Sequence, residues 1–459
     1  MYYNECTLIK DVISSDLINK IEKHSTEYKK FLNQNKTERE TIQSAIQMAI
    51  DFGYTPLSAD THPMPGDKIY WNIHGKGLVL AQIGDAPLKE GVTICISHAD
   101  SPRLDLKPNP LYESDNLALL KTHYYGGIKK YQWVSIPLEL RGIVSLMDGS
   151  NLSVTIGSQL NEPKFTITDL LPHLSHNQSK KSIEDAITGE ELNILVGSMP
   201  LVSKEANTPV KSIIIEILKN KYGFSEDDFI SAELSAIPSF DACDIGFDGS
   251  MIGSYGQDDR ACTFAMIKSF LESQNKHRTN ICFVSDKEEI GSIGFASAKS
   301  QIFDTFMALL CKNSLIDIGL CYSNSICISA DATAGHDPTF GNVYEKNNST
   351  YLNRGINVSK YTGCYGKSSG NDAPAELIRT IRKIFVENSI PWYLSEMGKV
   401  DEGGGGTIAR YMADRGIPTI DIGIPILSMH SPYEIAGKYD CYYLYSGLKC
   451  LFECDNLCI

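Results

Sequence analysis

The sequence is short of positive charge, of paired cysteines and of long apolar runs. Against 42 lysines and arginines stand 56 aspartates and glutamates, a formal net charge of −14. Nucleic acid is held largely through cationic contacts to phosphate, so this balance argues against a nucleic-acid partner. It says little about fold. No apolar stretch approaches the ~18–20 residues needed to span a bilayer, so no membrane partner is expected. The opening MYYNECTLIKDVISSDLINK lacks the basic start, apolar run and small-residue cleavage site of a secretory signal. The 13 cysteines are scattered with no CxxC pair, as suits reduced thiols. These absences together lead us to expect a soluble, cytoplasmic protein. Internal repeats and low-complexity tracts are missing too. GKVDEGGGGTI (398–408) lacks the GK[ST] ending of a phosphate loop and reads as a turn feeding a helix.

What is present is ordinary globular material, 42% hydrophobic and 21% charged. At 459 residues the chain exceeds what one core usually supports, so two domains are expected. Residues 14–34 and 37–52 carry the helical period, with Ile13, Leu17, Ile18 and Ile21 on one face of the first. Short strands follow at 68–73, 77–84 and 91–98, the last apolar throughout, as a strand covered on both faces should be. From about 104 to 240 the character becomes β-rich, as in 133–147 and 151–158, and the turn-forming AIPSFDACDIGFDGS (236–250) closes that stretch. After 255 strands and helices alternate: helix 259–273, strand 279–285, helix 294–310, strand 324–332, helix 371–388, strand 390–397, helix 405–416 and strand 417–425. This rhythm predicts an α/β fold with a mostly parallel sheet and helices on both faces. The division is 1–103 with 241–459 as one discontinuous domain and 104–240 as an inserted β-rich one. Cys450, Cys454 and Cys458 fall at i, i+4, i+8, and we read them as small apolar residues of a helix face rather than a metal clip.

Acidic and imidazole side chains collect where the apolar strands end. ICIS runs into His98-Ala-Asp100, ICFVS into Asp286-Lys-Glu288-Glu289, ICISA into Asp331, and TIDIGIP leads to His430, while Asp258-Asp259 opens a helix. Ligands in such sheets bind at the carboxyl ends of strands. Imidazole and carboxylate in this mixture suit zinc, and a carboxylate, having two oxygens, can be shared by two ions. An acid–base carboxylate must stand beside them. Adjacent Glu288 and Glu289 would repel in an ordinary loop. If extended, they would point to opposite sides, one toward metal and one toward water. With i, i+2 spacing, Asp100 is expected to orient His98.

At these residues the sequence resembles the aminopeptidase I zinc metallopeptidases, which include aspartyl aminopeptidase, and is most similar to the bacterial branch. The likeness is carried by SHADSPRLDLKPNPL, THYYGGIKKYQW, YGQDDRACTF, DKEEIGSIG, KYTGCYGKSSGNDAPAE, GKVDEGGGGTIA and LSMHSPYE, in that order along most of the chain. The resemblance implies a di-zinc exopeptidase fold interrupted by a dimerisation domain. It also implies assembly into dimers and a tetrahedral dodecamer that admits short peptides. Two zinc ions per subunit are implied, with Co²⁺ or Mn²⁺ as substitutes. His98, Asp258, Glu289, Asp331 and His430 would be ligands, with Asp258 bridging. His98 and Asp331 would serve one ion each or share that duty with Glu289 and His430. Glu288 would be the general base for a zinc-bridged water, Asp100 would orient His98, and the bond after Asp258 would be cis. The activity implied is removal of acidic or neutral N-terminal residues from peptides.

Two departures bear on substrate recognition. DATAGHDPTF places His336 one position from where the family carries a substrate-contacting histidine, and Asp337 stands there instead. A histidine reaching a neighbouring subunit's site would be His173 or His176 in LPHLSH. An acidic substrate side chain would want a cation, for which Lys360 comes first and Lys367 second. Rival readings are a deacylase or carboxypeptidase on the same fold, and a silent scaffold. The intact ligand set argues against the scaffold.

Overall fold

The computed structural model describes residues 14–58, 61–200, 208–312, 316–455 and 457. Ile13 and Cys458 lie outside them. The protein is a mixed α/β structure, and contacts divide it into two compact units. One comprises the chain through Asp100, Ala242–Met429 and Tyr433–Ile459; the other is Ser101–Asp241 with His430–Pro432. No helix of the described residues is long and apolar enough to cross a membrane.

The first unit is built on a nine-stranded sheet. Its strand order is Thr55–Pro56, Lys68–Ile73, Gly77–Gln82, Asn280–Ser285, Thr93–His98, Ile326–Ala330, Thr419–Gly423, Ile356–Ser359, Trp392–Ser395. The four strands from Asn280–Ser285 to Thr419–Gly423 run parallel. Their apolar continuity follows from the pleat, because successive side chains point to opposite faces. Cys95 joins the cluster with Phe264, Phe270 and Leu448, whereas Ile94 and Ile96 join the cluster with Phe303, Phe306 and Met307. Helices thus cover both faces, and a strand between them must be apolar along its length. On the second face Phe283 and Phe303 stack at 5.5 Å. Burying each such ring stabilises the fold by roughly 1.5–3 kcal/mol.

Around this frame several elements are shorter than their periodicity suggests. The helix expected over 294–310 forms only as Ile302–Lys312. Before it, the Ser297 hydroxyl donates to the carbonyls of Ser292 and Gly294, a local alternative to helical bonding. The helix expected over 405–416 shrinks to Ala409–Ala413. The glycines before it pair with Gly363–Cys364 instead, at a backbone approach no Cβ would allow: one on Gly404 would meet the Gly363 oxygen at 2.4 Å. The strand expected over 417–425 splits into Thr419–Gly423 and Pro425–Leu427, which belongs to a separate five-stranded sheet. The last helix stops at Phe452, so Cys454 is not on it, and Cys450 and Cys454 pack half-buried against the core.

The second unit holds a seven-stranded antiparallel sheet, ordered Asn151–Ile156, Leu138–Ser145, Ala232–Pro238, Arg103–Ser114, Leu117–Tyr125, Asn193–Gly197, Thr166–Ile167. The expected strand 133–147 begins only at Leu138, because Lys130–Trp133 is a 3-10 turn.

Candidate metal centre

The carboxyl ends of the parallel strands bring the acidic and imidazole residues together. His98 ends its strand and is 1% exposed. Asp331 follows Ile326–Ala330, and Asp286 follows Asn280–Ser285. Asp258 enters from the helix Gln257–Glu272, whose first residues depart from helical geometry, and the Asp258–Asp259 peptide is cis. His430 lies in the connection between Pro425–Leu427 and Glu434–Gly437, which pair antiparallel.

Two trios result. Donor atoms of His98, Asp258 and Asp331 lie within 4.8 Å of one another, and so do those of Asp258, Glu289 and His430. Asp258 is common to both. His98 and Asp331 fall in the same trio rather than one in each. His98 Nε2 faces this trio, 3.6 Å from Asp258 Oδ1 and 3.9 Å from Asp331 Oδ1. Its Nδ1 lies 3.0 Å from the Asp100 carbonyl oxygen and 3.4 Å from Asp100 Oδ1. A neutral imidazole that donates from Nδ1 to that carbonyl leaves the Nε2 lone pair for a metal. His430 has the same arrangement, with Nδ1 3.0 Å from the Gly127 carbonyl oxygen.

The electrostatics mark the place as one built for cations. Burial pushes the Asp331 carboxyl well above the usual range, and the charge of Asp259 adds to it. Burial does the same to Asp259, with Asp258 reinforcing it against the opposing pull of His98. For His98, burial alone would lower the pKa, but Asp100 and Asp258 hold it well above its ordinary value. Carboxylates crowded out of water disfavour their own charge unless cations neutralise it. The donors are imidazole nitrogen and carboxylate oxygen, the set zinc takes in open sites. The residues therefore fit the metal that the sequence implies.

One expectation needs correction. Glu288–Ile290 is a 3-10 turn, not an extended segment, so strand alternation does not set the directions of Glu288 and Glu289. Asp100 meets His98 through both its carbonyl and its carboxylate. The carboxylate also accepts from the backbone N–H groups of Glu288 (3.1 Å) and Glu289 (3.2 Å).

Sequence reasoning passed over Glu434. This residue is 1% exposed, and its Oε2 accepts from the N–H of Gln257 (2.6 Å) and of Asp258 (3.1 Å). It thereby fixes the backbone that presents the shared aspartate. Its signal was its place in LSMHSPYE, four residues after His430.

A cavity beside the first trio is lined by Asp331, Tyr361, Lys367, Glu396, Lys399 and Asp421 among others. Lys367 is thus at the site, 3.0 Å from Asp372 and over the Tyr361 ring at 3.7 Å. Lys360 is exposed and is not among the lining residues. His336 stacks on Tyr351 at 4.9 Å, and Asp337 caps the turn Pro338–Val343 by accepting from Thr339 N–H. His173 and His176 are exposed in the second unit.

Comparison with known proteins identifies the family. The family model described as aminopeptidase I zinc metalloprotease (M18) matches residues 31–452. A Clostridium acetobutylicum protein named Probable M18 family aminopeptidase 1 is 45% identical over 428 residues, 92% of each chain. The crystal structure of an M18 family aminopeptidase from Thermotoga maritima superposes with a TM-score of 0.91 at 39% identity, covering 95% of this chain and 97% of that one. The mApe1 dodecamer of S. cerevisiae shares the fold at 20% identity, with a TM-score of 0.76 and coverage of 93% and 95%. The chain belongs to the aminopeptidase I zinc metalloprotease family, M18, and is a zinc aminopeptidase, a hydrolase.

Proposed function

We propose that the enzyme binds two zinc ions per subunit and removes acidic or neutral N-terminal residues from short peptides, with Glu288 as general base. The observation that carries the two-ion reading is the sharing of Asp258 between two trios. His98, Asp258 and Asp331 would hold one ion, and Asp258, Glu289 and His430 the other. Zinc at these positions would supply Lewis acidity and draw the pKa of bound water toward neutrality.

The chain's own residues do the rest. Asp100 fixes the His98 ring and anchors the turn that carries Glu288. Glu288 takes the proton of the attacking water and returns it to the leaving amine. Lys367 lines the cavity and would meet an acidic side chain only by drawing away from Asp372, so neutral side chains suit the resting arrangement equally well. We further propose that Ser101–Asp241 serves dimerisation, and that dimers build a dodecamer like that of the S. cerevisiae relative.

The test is Glu288→Gln, assayed on aminoacyl anilides carrying Asp, Glu, Leu, Met and Lys. Turnover should vanish while zinc content stays at the parental level; retained turnover would remove Glu288 from the role. N-blocked substrates should resist the parent enzyme, and their cleavage would favour a deacylase.

A further inference from the structure

Three consecutive backbone N–H groups leading into the Glu288–Glu289 turn are all taken by buried aspartates. Lys287 N–H donates to Asp286 Oδ1 at 2.9 Å, and those of Glu288 and Glu289 donate to the two oxygens of Asp100. Asp100 is 0% and Asp286 1% exposed. The turn closes on itself, with Ser292 N–H reaching the Lys287 carbonyl (2.7 Å) and Gly291 N–H the Glu288 carbonyl (2.8 Å). Lys287 holds a φ of 69°, a left-handed conformation that an L-residue keeps only when its surroundings fix it. The proposed base thus stands on a backbone held by two carboxylates.

Two carboxylates side by side out of water repel each other, and counter-charges must make them tenable. One is the Lys287 ammonium, 3.5 Å from Asp286 Oδ2. The other lies deeper. Lys76, in the reverse turn after Lys68–Ile73, is 7% exposed, and its Nζ sits 3.3 Å from Oε1 of Glu38, the first residue of the helix Glu38–Asp51. Strands Asn280–Ser285 and Gly77–Gln82 pair antiparallel with Val284 opposite Leu78, a register that carries Asp286 alongside Lys76, whose charge acts on it against those of Glu38 and Asp100. A lysine so deeply buried is rare unless paired. A buried ion pair is weak evidence for stability, because apolar residues of the same size often pack as well or better. Lys76 therefore calls for a reason beyond packing, and the strand register offers one in Asp286, beneath the turn.

We infer that Lys76 is a positioning residue, acting with Glu38 through Asp286 and Asp100 to hold the backbone turn that aims Glu288. This inference rests on the reading of Glu288 as base for its kinetic consequence only. Its structural consequence is read on metal-free protein, so the two can fail separately.

The test compares Lys76→Met with Lys76→Arg. In metal-free protein, hydrogen exchange across 286–292 should quicken about tenfold in Lys76→Met, while peptides from Thr93–His98 keep the parental rate; Lys76→Arg should restore it. In zinc-loaded enzyme, Lys76→Met should lower kcat about tenfold with KM and zinc stoichiometry little changed, since a misaimed base slows turnover without weakening binding. Parental exchange at 286–292, loosening spread evenly through the sheet, or a rise in KM at unchanged kcat overturns the inference. If Lys76→Met does not fold, Glu38→Gln serves in its place. It should quicken the same peptide about threefold, and no change there overturns the inference equally.

Discussion

Strand Thr93–His98 is buried at all six positions, whereas Asn151–Ile156 in the second unit is exposed at Asn151, Ser153 and Thr155. The two sheets treat charge as differently as they treat apolar side chains. In the first unit burial raises acids: Asp286 and Asp440 to about 7 and Asp421 to about 6, besides Asp259 and Asp331 at the centre. In the second, Asp148, Glu162 and Glu191 are lowered by hydrogen bonds at the surface, led by Ser150, Gln159 and Thr188. The first unit carries charge where water does not help it, an arrangement that works against stability and suits a cation-binding centre.

The sharpest way to break this comparison is to remove one acid from each unit. Asp258→Asn should cut turnover on the order of a thousandfold, several kcal/mol in the barrier, and lower zinc stoichiometry. Yet the chelated protein should melt no lower than the parent, because the crowded carboxylates lose one repelling charge. In the second unit Glu139 pairs with Arg141 at 2.6 Å, with side chains 1% and 8% exposed. Glu139→Ala breaks this buried pair and should destabilise by roughly 3–5 kcal/mol with zinc content per folded chain unchanged. Calorimetry with and without chelator, alongside metal analysis, reads both. A clear fall in the melting temperature of chelated Asp258→Asn would mean that the carboxylates do not oppose folding.

Acid sensitivity comes next in size. His24 is 4% exposed among Phe264, Tyr442 and Tyr445, and burial lowers its pKa to about 3, with Lys268 adding to the effect. Its folded pKa lies below the unfolded ~6.5, so the neutral ring's contribution is present above pH 6.5 and is lost as pH falls from there toward 3. The raised aspartates run the other way. Asp440 contributes fully below its unfolded pKa near 3.8, and that contribution is lost as pH rises through about 7. His24→Phe keeps the aromatic packing and isolates the histidine. Between pH 7 and pH 4.5 the variant should gain roughly 2–3 kcal/mol over the parent in denaturant unfolding. A parallel decline of the two proteins would show that His24 is not a source of acid lability.

The sequence made the centre legible because continuous apolar strands end abruptly. His98, Asp286 and Asp331 each stand at or just after a run of β-branched and apolar residues, so chemistry and topology coincide in the text. The role of Glu434 was not legible, since it acts on the backbone of Gln257 and Asp258, some 177 positions away, through a neighbouring strand. The Glu288–Glu289 geometry was misjudged because a 3-10 turn and an extended segment share composition, and Asp100, distant in sequence, decides between them by capturing amides. Lys360 and Lys367 looked alike because both are exposed, and only the folded chain places Lys367 among the residues that line the cavity. The helices at 294–310 and 405–416 were overdrawn because serine and glycine contacts overrode periodicity.

The smallest effect tests whether the contrast between units extends to a single motif. Thr37 and Thr188 open the same reciprocal arrangement with a glutamate three residues on. Glu40 Oε2 accepts from the Thr37 N–H at 3.0 Å, and Glu191 Oε2 from the Thr188 N–H at 2.7 Å. Thr37 is 7% exposed and starts the 14-residue helix Glu38–Asp51, which packs Ile42, Ala45 and Ala49 into the core. Thr188 is exposed and starts the three-residue turn Gly189–Glu191. A cap stabilises in proportion to what unravels without it. Thr37→Ala should therefore destabilise by about 1 kcal/mol, and Thr188→Ala by only a few tenths, both read from denaturation midpoints. Equal losses would mean that the hydrogen bonds themselves set the energy, and that burial behind the helix contributes nothing to the cap.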